Sequence, residues 1–195
     1  MSMPIEREDL EHVLEHTRGL WEELRGSRVF VTGGSGFFGC WLLETFSFAN
    51  DQLRLGAQMV CLTRDAAAFQ RKAPHLAAHA GIRLVHGDVR EFDFPAGEFS
   101  HVIHAGTTSG GPVAPLEEFD TIVAGTRRAL DFAVASRAKK FLFTSSGTVY
   151  GKQPADLNHV PETYAGAPDP CNPRVPYDEA KRAAELLCSI YHGEH

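Results

Sequence analysis

The stretch Val31-Thr-Gly-Gly-Ser-Gly-Phe-Phe-Gly39 constrains this chain more than any other part of it. It follows the apolar run Arg28–Thr32, which reads as a short buried strand, and it opens a segment from Phe37 to about Asn50 whose apolar spacing predicts a helix. Gly34, Gly36 and Gly39 fit the spacing GxGxxG, while Gly33, Gly36 and Gly39 fit GxxGxxG. A strand that turns at once into a helix needs backbone angles that side chains forbid. The same glycines let an anion approach the main chain, where a helix N-terminus offers free N–H groups and positive partial charge. Placed after a first strand, such a turn is the cradle expected for the pyrophosphate of a dinucleotide, with Phe37 and Phe38 opening the helix beside it.

The remainder of the chain repeats the alternation. Further strands are expected at Ala57–Thr63, Ile82–His86, His101–His104 and Lys140–Thr144, separated by helices at about 65–80 and 114–137 and followed by one at 176–192. Short strands with helical crossovers imply a parallel sheet, so the fold class is α/β, a Rossmann-type doubly wound sheet. Ahead of it, Leu10, Val13, Leu14, Trp21 and Leu24 fall at helical spacing and predict an extra amphipathic helix over Ile5–Arg25. The expected division is therefore residues 1–26 as a leading helix and 27–195 as a dinucleotide-binding domain. Six prolines between Pro154 and Pro176 mark a long loop of the kind that covers or binds.

Composition narrows the class further. A net charge of −6 argues against nucleic acid as a partner, and no apolar run approaches the ~20 residues that span a bilayer. The opening MSMPIEREDLEHV is acidic and polar, unlike a secretory or transit leader. Four cysteines (Cys40, Cys61, Cys171, Cys188) form no CxxC pair and read as buried free thiols of a cytoplasmic protein. His12, Glu15 and His16 match HxxEH on the leading helix, and His75 and His79 lie four apart; neither set has a third ligand, so no metal site is expected and both read as surface.

A second motif carries chemistry. Tyr177-Asp-Glu-Ala-Lys181 places a phenol and an ammonium one helical turn apart on one face. A phenol is a poor base near neutrality, and an adjacent ammonium favours its phenolate. Thr144-Ser-Ser-Gly-Thr-Val-Tyr-Gly151 leaves the fifth strand at its C-terminal end, where ligands bind in such sheets.

In this order the glycine turn, the Ser-Ser-x-x-Val-Tyr-Gly segment and YxxxK resemble the extended short-chain dehydrogenase/reductase family, the nucleotide-sugar epimerases and dehydratases, from about Arg28 to Tyr191. The resemblance implies that Tyr177 takes the proton from a sugar hydroxyl while hydride passes from the carbinol carbon to the nicotinamide. It implies too that Lys181 assists the phenol and holds the nicotinamide ribose, that Ser146 orients the reacting oxygen, and that Thr148 touches substrate. Asp88 and Val89 match the family's adenine-side pair, and His104, Ala105 and Gly106 the segment along which the cofactor passes, although the family usually reads Ala-Ala there. Ile122 replaces a family asparagine, and Gly147-Thr148 stand where dehydratases carry Asp-Glu, which argues against a 4,6-dehydratase.

The expected function is an NAD(P)-dependent nucleotide-sugar epimerase or 4-keto reductase; the alternative is a non-catalytic NAD(P)-binding sensor or interaction module. The second strand ends at Thr63 and Arg64 where NAD-binding sheets carry an acid, so NADP is the expected preference. The family also implies a homodimer through the helices at 114–137 and 176–192, with Ala180, Ala184, Cys188 and Tyr191 as an apolar stripe, and a C-terminal substrate domain that this sequence is expected to lack.

Overall fold

The computed structural model describes residues 5–107 and 113–195. Five parallel strands, β1 (Arg28–Thr32), β2 (Gln58–Thr63), β3 (Ile82–His86), β4 (His101–His104) and β5 (Lys140–Phe143), form one sheet in the order β3-β2-β1-β4-β5. The order reverses between β1 and β4, which opens a crevice at their C-terminal ends. This is the doubly wound sheet expected from the alternation of the sequence.

Both faces are covered, so β1 is apolar throughout. Val29 and Val31 point to one side, into a core shared with Leu43 and Phe46 of α2 (Phe37–Leu53) and with Phe69 and Leu76 of α3 (Ala66–Lys72) and α4 (Pro74–Ala77). Phe30 points to the other and meets Phe92, Phe99 and Phe132 at ring-centroid separations of 5.2, 6.0 and 4.5 Å, closing the sheet under α5 (Pro115–Ala135). A third, smaller core joins α5 to α6 (Pro176–Glu194) through Ile122, Ala180, Ala184, Phe143 and Tyr177.

Three expectations are corrected here. The leading segment is not one helix: α1 (Arg7–Thr17) gives way to a 3-10 turn over Arg18–Leu24. The Thr17 hydroxyl bonds back to the Val13 carbonyl at 2.6 Å and Gly19 follows, so the α-helical ladder weakens there. The tightened segment swings Glu23 across the sheet to Lys140 (2.6 Å) and His101 (3.5 Å). Residues 65–80 likewise split in two because Pro74 forces Ala73 out of the helical region, to φ −138 and ψ 69. The thiols are all free, but only Cys61 is buried; Cys40 and Cys188 are half-buried and Cys171 is exposed, because it lies in the proline-rich loop.

The paired histidines are not plain surface either. His75 Nε2 meets Glu44 Oε1 at 2.5 Å and His79 Nε2 meets Asp51 at 3.3 Å, so they fasten α4 to α2. Among the described residues no cluster of three or more histidine, cysteine or acidic side chains is arranged to hold a metal, and no helix is long and apolar enough to cross a membrane.

Candidate active site

At the crevice the β1–α2 turn and the end of β4 meet backbone to backbone. Gly33 has φ +75, and a Cβ there would lie 2.4 Å from the Ala105 carbonyl oxygen. At Gly39 a Cβ would lie 2.2 Å from the Gly33 carbonyl, so α2 could not start so close to the turn. Gly36 caps α2 without any side-chain hydrogen bond, which leaves the first N–H groups of a 17-residue helix facing the crevice. The resulting cavity, about 220 Å³, is walled by Gly33, Gly36, Phe37, Phe38, Gly39, Thr63, Arg64, Asp88, Val89, Ala105 and Gly106. Every one of these was anticipated from the sequence as cofactor-binding. Thr32, Ser35, Thr107 and Thr121 also line it and were not anticipated; three of them flank the recognised motifs, and Thr121 sits on α5 with no local signal.

Each wall has its own chemistry. Thr63 is buried, and its hydroxyl accepts the Asp65 N–H at 3.3 Å. Asp65 caps α3 through the Ala68 N–H at 2.8 Å, so no carboxylate at the end of β2 is left to face a ribose. Arg64 is exposed beside Thr63. Asp88 is gripped by Arg90, whose Nε and Nη2 donate to its two oxygens at 2.8 and 3.0 Å, and this holds its carboxyl below the usual carboxylate range. Thr107 Oγ1 is shut off from solvent at the cavity wall without a hydrogen-bond partner among the described residues. A cradle that a single Cβ would fill, an uncapped helix N-terminus and an unpartnered hydroxyl together fit the phosphates and riboses of a dinucleotide.

His104 differs from its neighbours. Its side chain is fully buried and does not line the cavity; it stacks on Phe143 at 5.7 Å, on the α5 side of β4.

Beyond β5 the second group of residues assembles. Ser146 caps a 3-10 turn over Gly147–Tyr150, and its Oγ accepts from both the N–H and the hydroxyl of Thr148, at 3.3 and 3.0 Å. The Ser146 hydroxyl proton is thereby left to donate elsewhere. Ser145 turns the other way and donates to Glu185 on α6 at 2.5 Å. Lys181 is 2% exposed and donates to the Thr144 carbonyl at 2.7 Å. Its Nζ stands 4.5 Å from the centre of the Phe143 ring and 5.7 Å from that of Tyr177, and burial lowers its pKa to about 8. The Tyr–Lys pair thus lies along the C-terminal end of β5, next in the sheet to the strand whose end forms the cavity. Arg182, the next residue, donates to the carbonyls of Val149 and Gly166 (3.2 and 3.0 Å) and straps the proline-rich loop over the 3-10 turn.

A doubly wound sheet with a glycine cradle at its switch point and a Tyr–Lys pair at the neighbouring strand end is built to receive a dinucleotide. The chain belongs to the NAD dependent epimerase/dehydratase family, whose profile matches residues 29–195. It is 29% identical over 168 residues to UDP-glucuronic acid decarboxylase 1 of Xenopus tropicalis, an alignment covering 84% of this chain and 37% of that protein. It is 30% identical over 175 residues to UDP-glucose 4-epimerase 4 of Oryza sativa subsp. japonica, covering 85% and 45%. The fold superposes on UDP-glucuronic acid 4-epimerase from Bacillus cereus, solved in complex with NAD, with TM-score 0.66, 21% identity and coverage of 85% and 52%. The chain therefore spans about half or less of each of these relatives.

The α5–α6 stripe named from the sequence is corrected. Ala180 and Ala184 are fully buried against Ile122, Phe143 and Tyr177, and Tyr191 donates to Asp131 of α5 at 2.5 Å. Ile122, where the family has asparagine, belongs to that same internal core. The large apolar residues that these helices expose are Leu116, Val134, Leu186 and Ile190.

Proposed function

We propose that this chain forms the cofactor half of an NAD(P)-dependent nucleotide-sugar epimerase or 4-keto reductase, with a uridine diphosphate sugar as substrate. One observation carries the reading. Lys181 is buried on the Thr144 carbonyl, one helical turn from Tyr177, at the strand end beside the dinucleotide cradle. A sensor that only bound dinucleotide could use the ammonium for a ribose but would have no use for a phenol held beside it at the strand end. The names of the relatives support the uridine diphosphate sugar.

When bound, the nicotinamide supplies the acceptor or donor of hydride at the sugar carbinol carbon. Tyr177 takes the proton of the sugar hydroxyl as that carbon is oxidised and returns it on reduction. Lys181 puts positive charge beside the phenol and reaches the nicotinamide ribose. Ser146, whose oxygen already accepts twice from Thr148, donates its own proton to the reacting oxygen and holds it in line. Thr148 borders the sugar. Arg64, following a neutral Thr63 at the position of the ribose-reading acid, favours NADP over NAD. The protein is cytoplasmic, and a homodimer through α5 and α6 would cover Val134, Leu186 and Ile190.

The test supplies NAD or NADP together with UDP-glucuronic acid, UDP-glucose or UDP-galactose and follows sugar products by chromatography. Turnover is expected with at least one sugar, and Tyr177→Phe is expected to lower it about 10²–10⁴-fold while cofactor affinity stays within a few-fold. Undiminished turnover in the Phe variant would remove Tyr177 from the mechanism. Dinucleotide binding without any turnover, in this chain and in one extended to the length of its relatives, would favour the sensor.

A further inference from the structure

His104 takes no part in the steps above, yet both of its ring nitrogens are engaged inside the domain. Nδ1 lies 2.6 Å from Thr32 Oγ1 and Nε2 lies 3.1 Å from Thr126 Oγ1, on α5. Thr32 Oγ1 also accepts the Gly106 N–H at 3.0 Å, and the Thr32 carbonyl accepts the Ala105 N–H at 3.3 Å. The Gly106 N–H already occupies one lone pair of Thr32 Oγ1, which suits the Thr32 hydroxyl to donate to Nδ1 while an Nε2–H faces Thr126. Burial, with the Lys181 charge nearby, lowers the imidazole pKa to about 3, so the ring is neutral near pH 7.

This chain of bonds ends in the cavity. Thr32 precedes Gly33, and the wall formed by Ala105 and Gly106 lies against Gly33 so closely that no Cβ fits between them. We propose that His104 is a positioning residue: its imidazole braces the Thr32 hydroxyl from α5, so that Thr32 holds the Ala105–Gly106 wall against the glycine turn at the spacing the dinucleotide requires. The inference rests on the dinucleotide reading of the cavity. It gives His104 a different part from the direct cofactor contact expected from the sequence. A change at His104 should be felt as lost cofactor affinity, through a side chain that never meets the cofactor.

The experiment compares His104→Leu with His104→Asn in the full chain. Asn places an amide oxygen near the position of Nδ1, so the Thr32 hydroxyl keeps an acceptor; Leu fills the space without one. Affinities for NAD and NADP are measured by calorimetry, and thermal unfolding is recorded in parallel. His104→Leu should weaken the better-bound dinucleotide about tenfold or more, as expected when a buried hydroxyl loses its partner, whereas His104→Asn, which keeps that acceptor but no longer reaches Thr126, should lose only about threefold. Both should lower the unfolding temperature to a similar extent, so the split in affinity is the signature of positioning. Should His104→Leu not fold, Thr126→Val, which removes only the brace from α5, should weaken binding by about threefold or more, with Thr126→Ser restoring it. Equal affinity in the Leu and Asn variants, or wild-type affinity in Thr126→Val, would overturn the inference and leave the cofactor reading standing. Failure of the wild-type chain to bind either dinucleotide would overturn both.

Discussion

Replacing Lys181 by methionine should make the protein no less stable at pH 7, and it should change how stability depends on pH. The ammonium is 2% exposed, and its contacts are one carbonyl at 2.7 Å and a ring face at 4.5 Å. Those contacts do not offset desolvation, since the pKa falls from the ordinary 10.5 to about 8. At about 1.4 kcal/mol per pH unit, holding the proton in the folded state costs about 3 kcal/mol. The folded protein releases that proton near pH 8 and the unfolded chain near 10.5, so between these values the unfolded state binds more protons. Stability therefore rises with pH across this window, and the full penalty is present below it. Methionine keeps the length of the stem and has no proton to lose. Urea unfolding of both proteins from pH 7 to 10 should show the wild type gaining on the variant by up to about 3 kcal/mol above pH 8, whatever other groups titrate in common. Parallel profiles, or a variant less stable than wild type by about 2 kcal/mol or more at pH 7, more than the loss of an ordinary hydrogen bond, would refute the argument.

At the end of β2, Arg64→Ala should weaken NADP by at least about 1.5 kcal/mol, the low end for a charged hydrogen bond, and leave NAD nearly unchanged by calorimetry; equal losses would mean that Arg64 stacks on adenine rather than reading a phosphate. Asn50→Ala should destabilise the fold by about 1–3 kcal/mol in urea unfolding, because its side chain both accepts the Ala57 N–H (3.0 Å) and donates to the Ala57 carbonyl (3.2 Å) in a buried corner. Acid should act through His104: the folded ring stays neutral to about pH 3 and the unfolded one protonates near 6.5, so stability falls with decreasing pH between them. His104→Asn should make that decline shallower, and an unchanged acid limb would contradict the burial of this ring.

The sheet was legible in the sequence because its signals are local. Val29-Phe-Val31 is apolar on both faces, Asp65 stands where a cap is wanted, and the glycines cluster at the one turn that needs them. What escaped depends on partners far away in the chain. Nothing near Thr17 announces that its hydroxyl will bond back into α1 while Glu23, further on, reaches Lys140. The spacing of Ala180 and Ala184 establishes a helical face but not what covers it, and the cover proves to be Ile122 of the same domain.

The candidate site divides in the same way. Residues whose backbone does the work, at the glycine turn and along Ala105–Gly106, are recognisable because only small side chains leave that backbone accessible. His104 shows the opposite case. Adjacent to Ala105 in sequence, it reads as one more residue of the cofactor wall, yet strand alternation turns its side chain away, toward Thr126 on α5. The same alternation links it to the chemistry. The face of the sheet that receives the ring also receives Phe143, whose ring stacks on His104 and also meets the Lys181 ammonium. The cradle and the Tyr–Lys pair, separate motifs in the sequence, thus share one buried layer, in which a neutral imidazole and a costly ammonium are compatible only because the imidazole does not carry a charge of its own.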